Sequence, residues 1–342
     1  MLTIPFDKMP VPKAAIERLA NIPNLSVLEG TLLSERTRFG IGGPADVYAE
    51  TADERSFMEA WKVARESGAA YTVIGDGTNL IVSDSGFDGI VLHFTGSAIE
   101  NEGGCVHVAA GAELQSLVDY CIGRGLKGVE TMTGIPGSVG AAVYGNAGAY
   151  GHSINERIRR VRFFDGSSVR TFGNAECEFQ YRESIFKRHK DWIIFSADLE
   201  MDISASEELR PIADDILKIR LEKYPPTMKC AGSIFKNLIL SELPAHVQQA
   251  IPQRVIREGK VPSAYFLEEV GAKGMQKGGI QVATYHANLI YNAGGGTSRD
   301  LCKIIQELKS RVQSRFGFAL EEEVQYVGFS ENCAILESKG CC

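Results

Sequence analysis

The chain has 342 residues, of which 44% are hydrophobic and 23% charged, with a formal net charge of −7. This is ordinary globular composition, long enough for two or three domains, and its acidic balance argues against general nucleic-acid binding. No run of about eighteen apolar residues exists to span a membrane, and the start, MLTIPFDKMPVPKAA, lacks the basic and apolar regions of a secretory signal. A cytoplasmic location is expected. The eight cysteines show no CxxC pairing, so free thiols fit better than a disulfide framework.

In chain order, Phe57, Met58, Trp61 and Ala64 recur at helical spacing over 54–67, with Gly68 as a stop. Segments 71–75, 89–94 and 106–110 read as buried strands. A helix over 112–124 carries Leu114, Leu117, Val118 and Cys121 and ends at Gly125. Strands are expected at about 158–164 and 192–200. A helix over 209–222 stops before Pro225-Pro226. Short helices follow at about 241–250 and 263–270, then strands around 280–284 and 288–292. Ser298 is expected to cap a helix to Phe316, with Leu301, Ile304, Ile305, Leu308 and Val312 on one face and Gly317 as stop. A last strand is expected at about 322–328. Strands and helices mix without clean βα alternation, so the class is α+β rather than a doubly wound sheet.

Six glycines fall in the eighteen residues from Gly134 to Gly151, GIPGSVGAAVYGNAGAYG. That many glycines cost backbone entropy, which a packed element would avoid. They suit main-chain N–H groups that must approach a phosphate or a flat cofactor; tight turns among small residues are the alternative. Gly75-Asp76-Gly77-Thr78-Asn79 follows a strand, but a dinucleotide fingerprint needs a glycine at position 80, where Leu80 stands. LIVSDSGFDGIVL continues as strand, so this is either a phosphate loop or a hairpin turn. Phe39 to Pro44 (FGIGGP) is a third glycine-rich turn. Three such loops could line one long ligand such as a dinucleotide.

Charge is uneven. From Lys218 to Asn237, Lys218, Arg220, Lys223, Lys229 and Lys236 face only Glu222, and Arg182 to Lys190 is also basic. Either segment could focus a small anion or be a solvated face. Tyr181-Arg182 could hold a carboxylate bidentately, or Arg182 could be a surface residue at a helix start. Ser233 in GSIFKN is not in a nucleophile elbow, so a nucleophile is not expected there; a serine can act as a proton donor where cations and a water support it. Glu321 and Glu323 share one face of an expected strand and Glu322 the other. The six histidines lack metal spacing, and no metal site is expected. His286 reads equally as a structural histidine or a ligand.

TRFGIGGPAD (37–46), GDGTNL (75–80), Gly134–Gly151, YRESIFK (181–187), GSIFKN (232–237), GAKGMQKGG (271–279), HANLIYN (286–292) and 320–328, in this order, resemble the UDP-N-acetylenolpyruvoylglucosamine reductase (MurB) family. The resemblance runs from about Arg36 to Gly328. It implies an FAD-binding domain of the vanillyl-alcohol-oxidase (PCMH) type followed by a smaller α+β substrate-binding domain. The implied boundaries are an extension over 1–30, the flavin domain over 31–207 with a split near 85, the substrate domain over 208–330 with its last strand returning to the flavin domain, and a disordered tail over 331–342.

The resemblance also implies non-covalent FAD, NADPH as reductant and UDP-N-acetylglucosamine enolpyruvate as substrate. Hydride passes from flavin N5 to the enolpyruvyl methylene, and a serine protonates the neighbouring carbon to give UDP-N-acetylmuramate. Carried over motif by motif, the catalytic residues are Arg182, Ser233 and Glu323. The cofactor would be held by Gly40, Gly42, Gly75, Asp76, Gly77, Thr78, Asn79 and Leu80, and by Gly134, Gly137, Ser138, Gly140, Asn146, Gly148 and Tyr150. The substrate would be held by Tyr181, Lys223, Lys236, Asn237 and Gln276. No nucleic-acid or membrane partner is implied, and a monomer is expected. Arg38 before Phe39, Leu238 after FKN and Glu322 before the final Glu-Val depart from the family's usual pattern. The short link from Met201 to Lys223 lacks an insertion that bears a tyrosine lid in one branch of the family. Two rivals remain: another flavin oxidase of the same fold acting on a sugar or alcohol, and a nucleotide-sugar binder without chemistry.

Overall fold

The computed structural model describes residues 10–329. The expected tail and the first nine residues of the N-terminal extension therefore lie outside the described residues. The chain divides into two compact units. Among the described residues, one comprises 10–31, 45–76 and 88–226; the other comprises 32–44, 77–87 and 227–329. No helix among the described residues is long and apolar enough to cross a membrane.

The first unit holds two sheets. In one, the strand order is Ser26–Leu32, Pro44–Thr51, Phe87–Phe94 and Ala70–Ile74. The last two run parallel, with Ile74 opposite His93. The Glu54–Glu66 helix buries Phe57, Trp61 and Ala64, as its spacing predicts, together with Ala60, while Met58 is only half-buried. Phe57, Phe94 and Phe195 meet edge to face at centroid distances of 5.2–6.1 Å, a favoured aromatic geometry. Asp53 caps this helix by accepting from the Ser56 amide at 2.8 Å.

The second sheet of that unit has five strands in the order Val169–Gly173, Ile158–Phe164, Ile193–Glu200, Cys105–Ala109 and Ile99–Glu102. The three inner strands match expectation. The two edge strands were not anticipated, because they are largely exposed and carry no alternating apolar signal. The Leu114–Ile122 helix packs here through Leu114, Leu117, Val118 and Cys121. Burial pushes the Cys121 and Cys177 thiols up to about 12. Both stay protonated, and so unreactive, at neutral pH.

The second unit is built on a four-stranded sheet ordered Lys229–Ser233, Leu289–Asn292, Ile280–Val282 and Gln276–Lys277. The Ser298–Phe316 helix buries Leu301, Ile304, Ile305, Leu308 and Val312 against a core that includes Phe235 and Phe266. Its cap is Thr297, not Ser298: Thr297 Oγ1 accepts from the Asp300 amide at 3.1 Å. Ser298 instead exchanges bonds with Asp84, its amide donating to Oδ1 at 2.7 Å and its hydroxyl accepting from the Asp84 amide at 3.0 Å. Gly317 ends the helix in the left-handed conformation.

Two further expectations need correction. The run from 80 to 94 is not one strand. Leu80–Val82 pairs in parallel with Gln325–Val327, whereas Phe87–Phe94 joins the sheet of the first unit. A hairpin at 75–79 is thereby excluded, since the strands flanking it do not pair with each other. The final strand begins at Gln325, not 322. The glutamates before it make separate bonds, described next.

Candidate active site

In the first unit, the segment 134–151 is not turns alone. Its Val139–Tyr144 stretch is a short helix, capped by Ser138 Oγ accepting from the Ala141 amide at 3.4 Å. Small residues let this helix lie directly on its neighbours. The Gly140 amide donates to Ala110 O at 2.7 Å, and Val139 to Ala112 O at 2.8 Å. Gly75 comes beside this segment: a Cβ placed on it would stand 3.0 Å from Ser138 Oγ. Two of the three glycine-rich segments are thus brought together within this unit, with Gly75, Gly137, Ser138 and Gly140 in one neighbourhood.

Five non-glycine residues of this unit adopt left-handed backbone, Asn24, Asn146, Tyr150, Glu178 and Arg182, and three of them, Asn146 (φ 43°), Tyr150 (φ 53°) and Arg182 (φ 58°), lie in or beside the glycine-rich segment. Such conformations cost on the order of 1–3 kcal/mol each and gather at functional sites. Asn146 and Arg182 are held by specific bonds. Arg182 donates from Nη1 to Asn146 O at 3.1 Å and from Nη2 to Gly148 O at 2.6 Å. Asn146 Nδ2 donates to Gln180 O at 2.8 Å, and Ser184 Oγ to Tyr144 O at 2.7 Å. The 180–184 turn is therefore fastened to the glycine-rich segment on three sides. The Arg182 guanidinium lies 5.2 Å from the centroid of the Tyr181 ring. Burial, with the Glu183 charge adding to it, pushes the Tyr144 phenol up to about 12, so this ring stays neutral. Lys223 ends the Ser206–Lys223 helix, its Nζ 5.0 Å from the centroid of the Tyr224 ring.

In the second unit, Gly77 has φ +67°, and a Cβ there would sit 2.1 Å from Arg36 O. Only glycine lets the GDGTN loop pass that backbone. The Arg38 amide donates to Gly77 O at 3.1 Å, which places the loop beside the turn that carries Gly40 and Gly42. Asn79 then reaches the last motif: its Nδ2 donates to Glu323 O at 3.0 Å, and its own carbonyl accepts from the Gln325 amide at 3.0 Å. Leu80 pairs with Gln325.

Ser233 ends the Lys229–Ser233 strand, opposite Leu289, after a register shift that begins beyond Cys230. Gly232 in that irregular stretch has φ +72°. A bulge of this kind re-aims the side chain that follows it. The chain then runs alongside the acidic motif. The Glu323 amide donates to Ile234 O at 2.8 Å, Phe235 bridges Glu322, and the Lys236 amide donates to Glu321 O at 2.9 Å. Ser233 and Glu323 are thereby set on adjacent hydrogen-bonded segments.

Other expected residues take different positions. Lys236 is buried, with its Nζ 2.5 Å from Glu321. Glu322 pairs with Lys309 at 2.8 Å. Asn237 Oδ1 accepts from the Ser263 amide at 3.3 Å. Gln276 is not brought to Ser233; it lies on the opposite edge strand of the sheet, exposed, with Nε2 bonded to Gly278 O. His286 Nδ1 accepts from the Asn288 amide at 3.2 Å. No group of metal-ligating side chains occurs among the described residues.

Asn288 was missed as a site residue, although it stands in the HANLIYN motif. Buried to 2% exposure, its Oδ1 accepts from the Phe235 amide at 2.9 Å, and its Nδ2 donates to Phe235 O and Ser263 Oγ, each at 2.8 Å. It pins the segment between Ser233 and Lys236. Asn288→Ala leaves buried polar partners unsatisfied, at about 1–3 kcal/mol for such a group. Denaturant unfolding should show a loss of that size, and turnover should fall with it. Unchanged stability would mean that other bonds fix this segment.

Comparison with known proteins follows the same lines. Residues 224–327 match the C-terminal domain of UDP-N-acetylenolpyruvoylglucosamine reductase, and residues 45–170 match an FAD binding domain. The UDP-N-acetylenolpyruvoylglucosamine reductase of Solibacter usitatus is 66% identical over 91% of this chain and 100% of its own length. That of Bacillus licheniformis is 32% identical over 92% of this chain and 98% of its own. The crystal structure of the Thermus caldophilus enzyme superposes with a TM-score of 0.69 at 28% identity, covering 89% of this chain and 99% of that one. The chain belongs to the UDP-N-acetylenolpyruvoylglucosamine reductase family.

Proposed function

We propose that this chain reduces UDP-N-acetylglucosamine enolpyruvate to UDP-N-acetylmuramate for peptidoglycan synthesis, with non-covalent FAD and with NADPH as reductant. The observation that carries the site assignment is the placement of Ser233 and Glu323 on hydrogen-bonded neighbours, with Asn79 of the GDGTN loop tied to the Glu323 carbonyl. The residues present fit a flavin nucleotide: Gly75 packs against Ser138 and Gly77 against the Arg36 backbone, where a Cβ would stand 3.0 Å and 2.1 Å from the nearest atoms, so the loop keeps the side-chain-free path on which backbone amides can face a diphosphate. Gly75 to Leu80, Gly134, Gly137, Ser138 and Gly140 are assigned to hold it, with Gly40, Gly42, Asn146, Gly148 and Tyr150. FAD bound there supplies the two-electron chemistry that no side chain provides.

The side chains have separable tasks. Once the methylene carbon has been reduced, the neighbouring carbon carries negative charge spread into the carboxylate. Arg182 is assigned to meet that charge; its fork matches a carboxylate. Ser233 Oγ is assigned to donate the proton to that carbon. Glu323 is assigned to polarise the site or share a proton with the carboxylate. Tyr181, Lys223, Lys236, Asn237 and Gln276 are assigned to the UDP and carboxylate of the substrate. Between Met201 and the Ser206–Lys223 helix there is only the short strand Asp202–Ile203, which supports the branch without the tyrosine lid. A cytoplasmic monomer completes the reading.

The test is the visible spectrum of the purified protein under argon. A flavin band should bleach with NADPH and return with the enolpyruvyl sugar. A band that returns only with oxygen would assign another substrate, and no flavin after reconstitution with FAD would sink the reading.

A further inference from the structure

His93 stands between two carboxylates and a buried phenol, and none of the roles assigned above uses it. It lies on the Phe87–Phe94 strand, directly opposite Ile74, the residue before the GDGTN loop. Its Nδ1 is 2.8 Å from Tyr48 Oη and 3.5 Å from Glu50 Oε2. Its Nε2 is 3.6 Å from Asp76 Oδ1. The groups facing the ring are thus Tyr48 and Glu50 from the Pro44–Thr51 strand, and Asp76 from the end of the Ala70–Ile74 strand. All four belong to the first unit. The His93 side chain is 14% exposed and Asp76 34%, so the ring is held while the carboxylate reaches toward solvent.

Asp76 is chemically out of place. It puts a negative charge inside a loop whose amides are assigned to a diphosphate. Like charges at such range are unfavourable, more so away from bulk water. An imidazolium within ion-pair distance offsets that charge, whereas a neutral imidazole does not. A histidine can change its charge between about pH 5 and 8.

We propose that His93 is a positioning residue of the cofactor site, holding the Asp76 carboxylate at the GDGTN loop and making FAD binding proton-linked. The proposal rests on the flavin reading above. Its sign follows from the charges. A bound diphosphate favours the protonated ring, so binding takes up a proton. Affinity is highest where His93 is protonated and falls as pH rises through its titration. FAD changes no charge of its own over that range.

The experiment is the FAD dissociation constant of the full chain, read by quenching of flavin fluorescence on binding, from about pH 5.5 to about pH 8.5. In the unaltered protein it should rise about tenfold, the scale of an ordinary site-to-site coupling. His93→Gln should be flat near the high-pH value. Asp76→Asn should lose most of the pH slope, because the ring then has no Asp76 charge to offset. A merely structural His93 would weaken binding equally at every pH. A flat profile in the unaltered protein, or a pH slope kept in His93→Gln, overturns the proposal. Should His93→Gln not fold, the ring signals of His93 by NMR decide: they must titrate at higher pH with FAD than without, and no difference overturns the proposal. Absence of FAD binding at any pH would instead sink the flavin reading itself, and this proposal with it.

Discussion

Ser233→Ala is expected to lower turnover by roughly 10²–10⁴, the usual range for a lost general acid. Reduction of the bound flavin by NADPH should proceed at a near-normal rate. The reasoning is local. Ser233 sits at a strand end whose neighbours are fixed by backbone bonds: the Glu323 amide to Ile234 O, the Ile234 amide to Asn288 O, and the Phe235 amide to Asn288 Oδ1. These bonds remain in the alanine variant, which takes away the proton donor. Stopped-flow measurement of each half-reaction separates the cases. If flavin reduction fails as well, the substitution has damaged the site generally. If turnover is unchanged, the proton comes from elsewhere and the assignment is wrong. Ser233→Cys is the useful companion, since it restores a donor of similar size and should recover part of the rate.

What the sequence shows of this molecule depends on the range of the interactions involved. The Ser298–Phe316 helix is legible because five apolar residues recur at its period and Gly317 stops it. The inner strands of the five-stranded sheet are legible because buried apolar residues recur along them at strand spacing: Val106 and Val108, Val161 and Phe163, and Ile193, Phe195, Ala197 and Leu199. The edge strands Ile99–Glu102 and Val169–Gly173 are not, since exposure removes the alternation that betrays a strand. The glycine-rich segments stand out by composition, yet the helix inside 134–151 was hidden by those same glycines. That helix follows from packing against Ala110 and Ala112, contacts with residues remote in sequence. The site divides in the same way. Arg182, Ser233 and Glu323 are found through motifs, but nothing local says that Glu323 lies beside Ile234, about ninety residues away. The signal that could have exposed Asn288 is an amide set among apolar residues in HANLIYN. A polar residue there must be satisfied if buried, and Phe235 is what satisfies it. Gln276 is the opposite case: its motif is clear, and its strand lies at the far edge of the sheet from Ser233.

Arg182→Met should act on the other half of the chemistry. An enolpyruvyl group accepts hydride poorly unless its carboxylate can take up charge. Losing one preorganised donor to such charge costs about 10²–10³ in rate. Reoxidation of reduced flavin by the enolpyruvyl sugar should therefore slow by about that factor, while reduction by NADPH changes little. The structure makes this a demanding prediction, because Arg182 is also a strut. Its guanidinium ties the 180–184 turn to Asn146 O and Gly148 O, and its backbone is left-handed at φ 58°. Methionine meets the same backbone strain as arginine, so the substitution removes bonds and charge without adding a conformational cost. If the strut role dominated, loosening of the glycine-rich segment would weaken FAD binding and slow both half-reactions together. If the charge role dominates, only the second half-reaction slows and FAD affinity holds. Arg182→Lys sharpens the distinction: it keeps the charge but not the fork that reaches two carbonyls at once. It should recover more of the reoxidation rate than of the thermal stability. An unaltered reoxidation rate in Arg182→Met would leave this arginine as a strut alone and move the carboxylate to another cation.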